Sequence, residues 1–541
     1  MDTERLGSTS PVSEADVATL AAITAGQVTL GVELGSTNIK ACLIGPDQQA
    51  VAVGEYTWEN QFVDRVWTYS LDAVHTGLAG AFAALSAEVR RRYDLPLTQV
   101  AAIGVSAMMH GYLAFDSKDE LLTPFRTWRN TSTGPAAAAL TEVLGFNIPL
   151  RWSVAHFYQA ALDGEEHVRQ VASLTTLAGY VHRRLTGRNV LGVGDASGMF
   201  PIDPETCDFD EAMLAKLDAI LGGIRHLLPE VLPAGANAGT LTAEGAALLD
   251  PTGTLQPGAL LCPPEGDAGT GMVATNAVAP RTGNVSVGTS VFAMVVLERA
   301  LSRAHPEIDV VTTPAGAPVA MVHCNNGASE LGAWASVFGE FAQALGAPAN
   351  DGAVFAALLG AALNADPDGG GLLAFNFLSG EHNIGLDEGR PLMVRTPGST
   401  LNLANFARTQ VYAVFATLAL GMQTLAEEGV ALDSLLAHGG LFRTAGVAQR
   451  LLAAAVNAPV SVASMAGEGG AWGAAVLAAY AHAVAGGETR DLGAWLAGQV
   501  FADAATAAIN PDPVDAAGFA AYLARFKAAL PLQHTAVKTT R

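Results

Sequence analysis

Two stretches of this chain carry residue types suited to holding phosphate: Glu33-Leu34-Gly35-Ser36-Thr37 and, about 250 residues later, Ser286-Val287-Gly288-Thr289-Ser290. In each, an apolar run ends in a glycine followed by two hydroxyl residues. Glycine lets a backbone approach a ligand closely because it has no Cβ. Successive N–H groups of such a turn, with the Ser36 and Thr37 hydroxyls beside them, form a concave donor surface for phosphate oxygens. Glu33 is an acid standing alone on an apolar run, a costly placement unless a cation pairs with it.

The first stretch alone would pass equally well for a bare β-hairpin. The second copy argues for two lobes of similar fold whose turns face a shared cleft. Two phosphate-cradling hairpins around one nucleotide is the layout of actin-like, sugar-kinase and chaperone ATPases, an analogy at the level of fold. Other nucleotide and hydrolytic devices are missing. No Gly-Lys pair exists, which excludes a Walker A loop, and neither HExxH nor GxSxG occurs. Gly467 and Gly469 begin a GxGxxG-like run, but Trp472 occupies its last position. Any ATP must then be held by the two turns.

The elements that position these turns follow from hydrophobic period. Val28, Leu30 and Val32, then Ile39, Ala41 and Leu43, alternate as strands do, with the turn between them. Leu71 to Tyr93 has helical period, and Val100 to Val105 reads as a buried strand running into Ser106-Ala107-Met108-Met109-His110-Gly111. A loop, Pro124 to Asn130, follows, and Gly194-Asp195-Ala196-Ser197-Gly198 reads as a structural turn. Residues 256–283 link the lobes and contain Glu265-Gly266-Asp267-Ala268-Gly269. A long helix from Leu403 to Glu428 precedes a strand and turn, Leu436-Ala437-His438-Gly439-Gly440, and a further helix spans about 468–484. Ser13 is a plausible cap for a short helix from Glu14 to Ile23. The expected fold is α/β, with two actin-like (ribonuclease H-like) ATPase lobes and a cleft between them. The expected division is an N-terminal arm (1–27), a first lobe (28–282), a second lobe (283–486) and a helical tail (487–541).

Composition narrows the partners. The 541 residues exceed a single core, and 50% hydrophobic against 15% charged residues describes a packed globular protein. A formal charge of −22 disfavours nucleic acid and anionic membrane, so an anionic substrate must be captured by local groups. Thr409–Ala426 and Gly469–Gly486 are long and uncharged but lack interfacial anchors, which favours buried helices over membrane spans. The four cysteines have no CxxC spacing and read as thiols in a reducing compartment. No signal peptide is apparent, so a cytoplasmic location is expected.

In order, GVELGSTNIK, SAMMHG, the Trp128 loop, EGDAG, SVGTS, FLSGE and HGGLFRTAGV resemble the motifs of the FGGY carbohydrate kinases over roughly residues 28–482. The resemblance implies ATP with Mg2+ and phosphoryl transfer to a sugar. It matches Asp267 to the catalytic base and Glu33, where an aspartate is usual, to the metal and phosphate end. Met109 and His110 match sugar-contacting positions, as do Trp128 and Asn130. Gly288, Thr289 and Ser290 match the γ-phosphate turn, with Ser36 and Thr37 opposite, and Gly439 and Gly440 match the nucleotide loop.

Met109-His110-Gly111 leans toward the ketopentose branch and hence toward phosphorylation of D-xylulose on its terminal hydroxyl. The sugar end departs more from the family pattern than the phosphate end. Met108 stands where Gln is frequent, Arg129-Asn130 replaces Asn-Asp, and His382-Asn383 follows Glu381. Ribulose, another ketose or a polyol is therefore the alternative acceptor. An actin-like ATPase switch without sugar transfer is the alternative of another class. A homodimer is one option for assembly.

Overall fold

A computed structural model describes residues 14–462, 469–502 and 507–540. Ser13 and Gly467 lie outside the described residues. The chain forms two sheets of the same plan. In the first the order is Leu260–Leu261, Ala102–Ala107, Thr29–Leu34, Asn38–Ile44, Ala50–Thr57, with Glu265–Gly266 also joined to Ala102–Ala107. In the second it is Val460–Val462, Ser434–Gly439, Thr282–Val287, Val291–Val296, Pro318–Cys324, Asp309–Thr312. Each sheet has a hairpin whose first strand is also paired in parallel, to Ala102–Ala107 in one and to Ser434–Gly439 in the other. The repeat read from two short motifs is thus a repeat of topology, and the fold is the two-lobed actin-like one.

This plan brings the chemistry to one edge of each sheet. Parallel strands deliver their carboxyl ends together, where open α/β sheets bind ligands. In the first sheet those ends lead into Gly35-Ser36-Thr37, Met109-His110 and Asp267. In the second, Val287 and Gly439 are register partners, so Gly288-Thr289-Ser290 and Gly440 leave the sheet side by side. Gly439 has φ +116°, and a Cβ there would come within 2.1 Å of the Val287 carbonyl oxygen.

Helix Gly469–Ala485 lies against the first sheet, although it follows the last strand of the second. Glycines on the strands permit this: a Cβ on Gly31 or Gly104 would lie 2.0 Å from the carbonyl oxygen of Ala471 or Ala474. Trp472 Nε1 donates to the Gln48 carbonyl at 2.9 Å, fixing the helix axially. Six residues lie between Val462 and Gly469, seven steps of chain, so the second sheet and this helix start are at most about 25 Å apart.

The long helix is Leu403–Glu427, buried along nearly all its faces in the second lobe. Its Arg408 is 1% exposed and pairs at 2.9 Å with Asp515 of helix Pro513–Ala529. Tyr522 of the same helix donates to the Ala374 carbonyl at 2.9 Å. Residues 513–529 are therefore integral to the second core. Among the described residues no helix is long and apolar enough to cross a membrane, and the four cysteines form no disulfide, with Cys42, Cys262 and Cys324 buried.

Candidate active site

The first turn is braced from behind. Trp58 Nε1 donates to the Gly35 carbonyl at 2.7 Å, Tyr69 Oη to the Ser36 carbonyl at 2.6 Å, and the Trp58 amide to the Thr37 carbonyl at 3.0 Å. The two rings stack at 4.0 Å between centroids. With three successive carbonyls held on one side, the intervening N–H groups turn the other way. That is the arrangement an anion requires.

The second turn is braced by a different device with the same outcome. The Gly327 amide donates to the Thr289 carbonyl at 2.7 Å and the Ala328 amide to the Gly288 carbonyl at 2.8 Å. Loop 325–327 is in turn gripped by Glu381, which is fully buried and accepts from the amides of Asn325 at 3.1 Å and Asn326 at 3.2 Å. Asn376 donates to the carbonyls of Asn326 and Gly327. Glu381 closes the FLSGE motif, whereas Asn326 and Asn376 stand in no motif that marks them. A buried acid beside glycine was the available signal.

Glu33 is the penultimate residue of strand Thr29–Leu34, opposite Ser106 and Lys40 in register. Its Oε2 accepts from the Ala471 amide at 3.2 Å, at the start of helix Gly469–Ala485. Burial first, and then the charge of Asp267, push its pKa up to about 7; Lys40 and the Ala471 amide pull the other way. A buried carboxylate whose ionisation is opposed by a second one nearby is what a cation would relieve.

Asp267 opens helix Asp267–Ala274. Its Oδ1 accepts from the Met109 amide at 3.2 Å and from its own neighbour Ala268 at 2.9 Å. Its side chain is exposed to water at one side, with protein packed around the rest of it. That enclosure raises its pKa, while the amides and Arg151 oppose the rise. Arg151 is ion-paired to Asp309 on the edge strand of the second sheet, a contact between lobes that sequence reasoning did not find.

His110 is buried with φ +71°, a strained backbone for a residue with a side chain. Burial and Arg151 hold its pKa well below the usual imidazole range, so the ring is neutral. Nδ1 lies 3.4 Å from the Gly198 carbonyl, which can only accept; Nδ1 therefore carries the proton and Nε2 presents a lone pair. Met109 is buried beside it.

Trp128 is 38% exposed, with Nε1 3.3 Å from Ser36 Oγ, so its loop lies beside the first turn. Asn130 has another task. Its Oδ1 accepts from the Trp67 amide and its Nδ2 donates to the carbonyls of Trp67 and Thr127. The amide is spent on shaping the loop. Asp195, read as structural, is buried in the short helix Val193–Ala196 and accepts from Thr176 Oγ1 at 2.6 Å.

Comparison with known proteins gives this arrangement its family. The N-terminal domain of the FGGY family of carbohydrate kinases matches residues 28–253 and its C-terminal domain residues 283–482. A protein named xylulose kinase from Klebsiella pneumoniae is 25% identical over 299 residues, 51% of this chain and 55% of that protein. One of the same name from Streptomyces coelicolor is 28% identical over 169 residues, 29% of this chain and 34% of that protein. The chain thus spans about a third to a half of the length of these curated relatives. Among solved structures, a xylulose kinase from Brucella ovis superposes with a TM-score of 0.76 at 20% identity, covering 94% of this chain and 100% of the other. A gluconate kinase from Lactobacillus acidophilus gives 0.76 at 18% identity, covering 94% and 98%. The chain belongs to the FGGY family of carbohydrate kinases.

Proposed function

We propose that this protein transfers the γ-phosphoryl group of ATP to the terminal hydroxyl of a ketopentose, D-xylulose first, in the manner of a xylulokinase. The observation that carries the reading is Asp267 held by the Met109 amide, two strand ends from a braced phosphate turn. Phosphoryl transfer asks for positioning, charge neutralisation and a base, and little covalent help. Asp267 takes the hydroxyl proton as the new P–O bond forms and the bond to ADP breaks. A carboxylate held above its ordinary range by enclosure is a better base than a free one.

Mg2+ enters with the nucleotide as part of the substrate. No group of three or more His, Cys, Asp or Glu side chains among the described residues forms a metal cage. That fits an ion borne mainly by phosphates and one carboxylate, and Glu33 is the acid that fits it. Ser36 and Thr37 on one side, with Gly288, Thr289 and Ser290 on the other, would receive the phosphates, and Gly439 and Gly440 the rest of the nucleotide. His110 Nε2 offers an acceptor, and Met109 and Trp128 apolar faces, to the sugar. In this reading 28–282 is the sugar-holding lobe and 283–486 the nucleotide-holding lobe, with helix Gly469–Ala485 as the element shared between them. Incubation with ATP, Mg2+ and D-xylulose, followed by phosphorus and carbon NMR of the product, tests it. A 5-phosphate supports the reading. Product only from ribulose, another ketose or a polyol would replace the acceptor.

A further inference from the structure

Two residues before Asp267, Glu265 is 1% exposed and carries a carboxylate that reaches across to another element. Its Oε1 accepts from the Gly194 amide at 3.2 Å and its Oε2 from the Asp195 amide at 2.9 Å. The fit is close: a Cβ on Gly192 would lie 2.2 Å from Oε1 and one on Gly194 2.3 Å from Oε2. Both oxygens act as acceptors, while burial and the neighbouring Asp195 raise the pKa of the carboxyl group well above its ordinary range. The neighbouring Asp195 has a buried Oδ1 with no partner among the described residues.

The element so gripped ends against the acceptor side of the site. Gly198 closes the turn with its amide on the Asp195 carbonyl at 3.0 Å. A Cβ on Gly198 would come within 2.6 Å of His110 Nδ1 and 2.9 Å of Met109 Cε. Gly266, beside Glu265, is packed as closely on Met109, its Cβ position 2.7 Å from Cγ. The same turn also receives the second lobe, because Ser197 Oγ accepts from the Thr312 amide at 3.0 Å. One buried carboxylate thereby joins the segment bearing Asp267 to the wall behind Met109 and His110.

The geometry points to Glu265 as a positioning residue for the acceptor sugar: its carboxylate sets the 193–198 turn, and with it His110 and Met109, at a fixed distance from Asp267. This rests on the kinase reading above for its catalytic readout only. Glu265→Gln is the informative variant, since it keeps shape but turns an NH2 toward one of two N–H donors. Glu265→Asp keeps the carboxyl group but shortens the reach.

The test combines hydrogen exchange of the free protein with steady-state kinetics. In Glu265→Gln, amide exchange should accelerate in 190–198 and 108–111 while the second-lobe segment 325–328 keeps the parent's rate. With D-xylulose, kcat/KM for sugar should fall by about tenfold or more, with KM for ATP unchanged, and Glu265→Asp should recover part of it. Unchanged exchange in 190–198 overturns the proposal, as does an equal rise of both KM values. If the parent phosphorylates no sugar, the kinase reading fails while the exchange result still decides what Glu265 holds.

Discussion

The Glu33 carboxylate accepts a hydrogen bond from the amide of Ala471, 3.2 Å away and 438 residues later in the chain. The acid beside the Gly35-Ser36-Thr37 turn is thereby aimed by a helix that follows the last strand of the other sheet. A Cβ on Gly470 would fall 2.3 Å from Glu33 Oε1, so the helix start and the carboxylate are fitted to each other. Helix N-termini favour negative charge, yet burial and Asp267 outweigh this and leave Glu33 titrating near 7.

That balance sets a stability signature. An acid whose pKa rises on folding stabilises the fold below its unfolded value, and the contribution is lost as pH climbs through the folded one. For Glu33 the window runs from 4.5 to about 7. Glu33→Gln should therefore gain stability over its parent across that window, by at most about 3 kcal/mol, while losing most turnover. The buried histidines act in the opposite sense but are common to both proteins and cancel. Thermal melts of both proteins along a pH series measure the difference; a constant gap would mean Glu33 is not the titrating group.

Glu33→Asp separates two ways of meeting a nucleotide-borne Mg2+. A shorter acid can still bind the ion through a water but not directly. Substantial activity at raised Mg2+ is expected, read from Mg2+ titrations of turnover. No recovery at any Mg2+ would indicate direct ligation.

Asp267→Asn should bind sugar as the parent does and turn over about 10²–10⁴-fold more slowly, because an amide cannot take the proton. Sugar binding by calorimetry and single-turnover rates check the two halves. Near-parental turnover would move the base elsewhere, with Asp195 next in line.

Glu381 gives the matching prediction for the nucleotide side. Glu381→Gln leaves one of the Asn325 and Asn326 amides without its acceptor, a loss of about 1–3 kcal/mol at a buried site. KM for ATP should rise with KM for sugar unchanged, the reverse of the Glu265 pattern. A sugar-side effect would show that the two networks are not separate.

Much of this was legible because it is local. The hairpins, the Leu71–Tyr93 helix and the residues after each parallel strand follow from period and turn composition. Helix Gly469–Ala485 could be read as buried, but its partner could not. Alanine and glycine all round give it no preferred face, and its seat depends on Gly31 and Gly104, far off in sequence. Asn130 is a related case: a loop amide looks free until the Trp67 backbone that it bonds is placed beside it. Arg151 and Asp309 meet only when the lobes do.

The most direct measurement is ADP release with Mg2+ and ATP, with and without sugar, in the parent and in Asp267→Asn. The account predicts a large acceleration by a ketopentose in the parent and its loss in the variant, the sugar-free rate being the same in both. Equal rates with and without every ketose, aldose and polyol in a broad panel would contradict it and favour an ATPase switch.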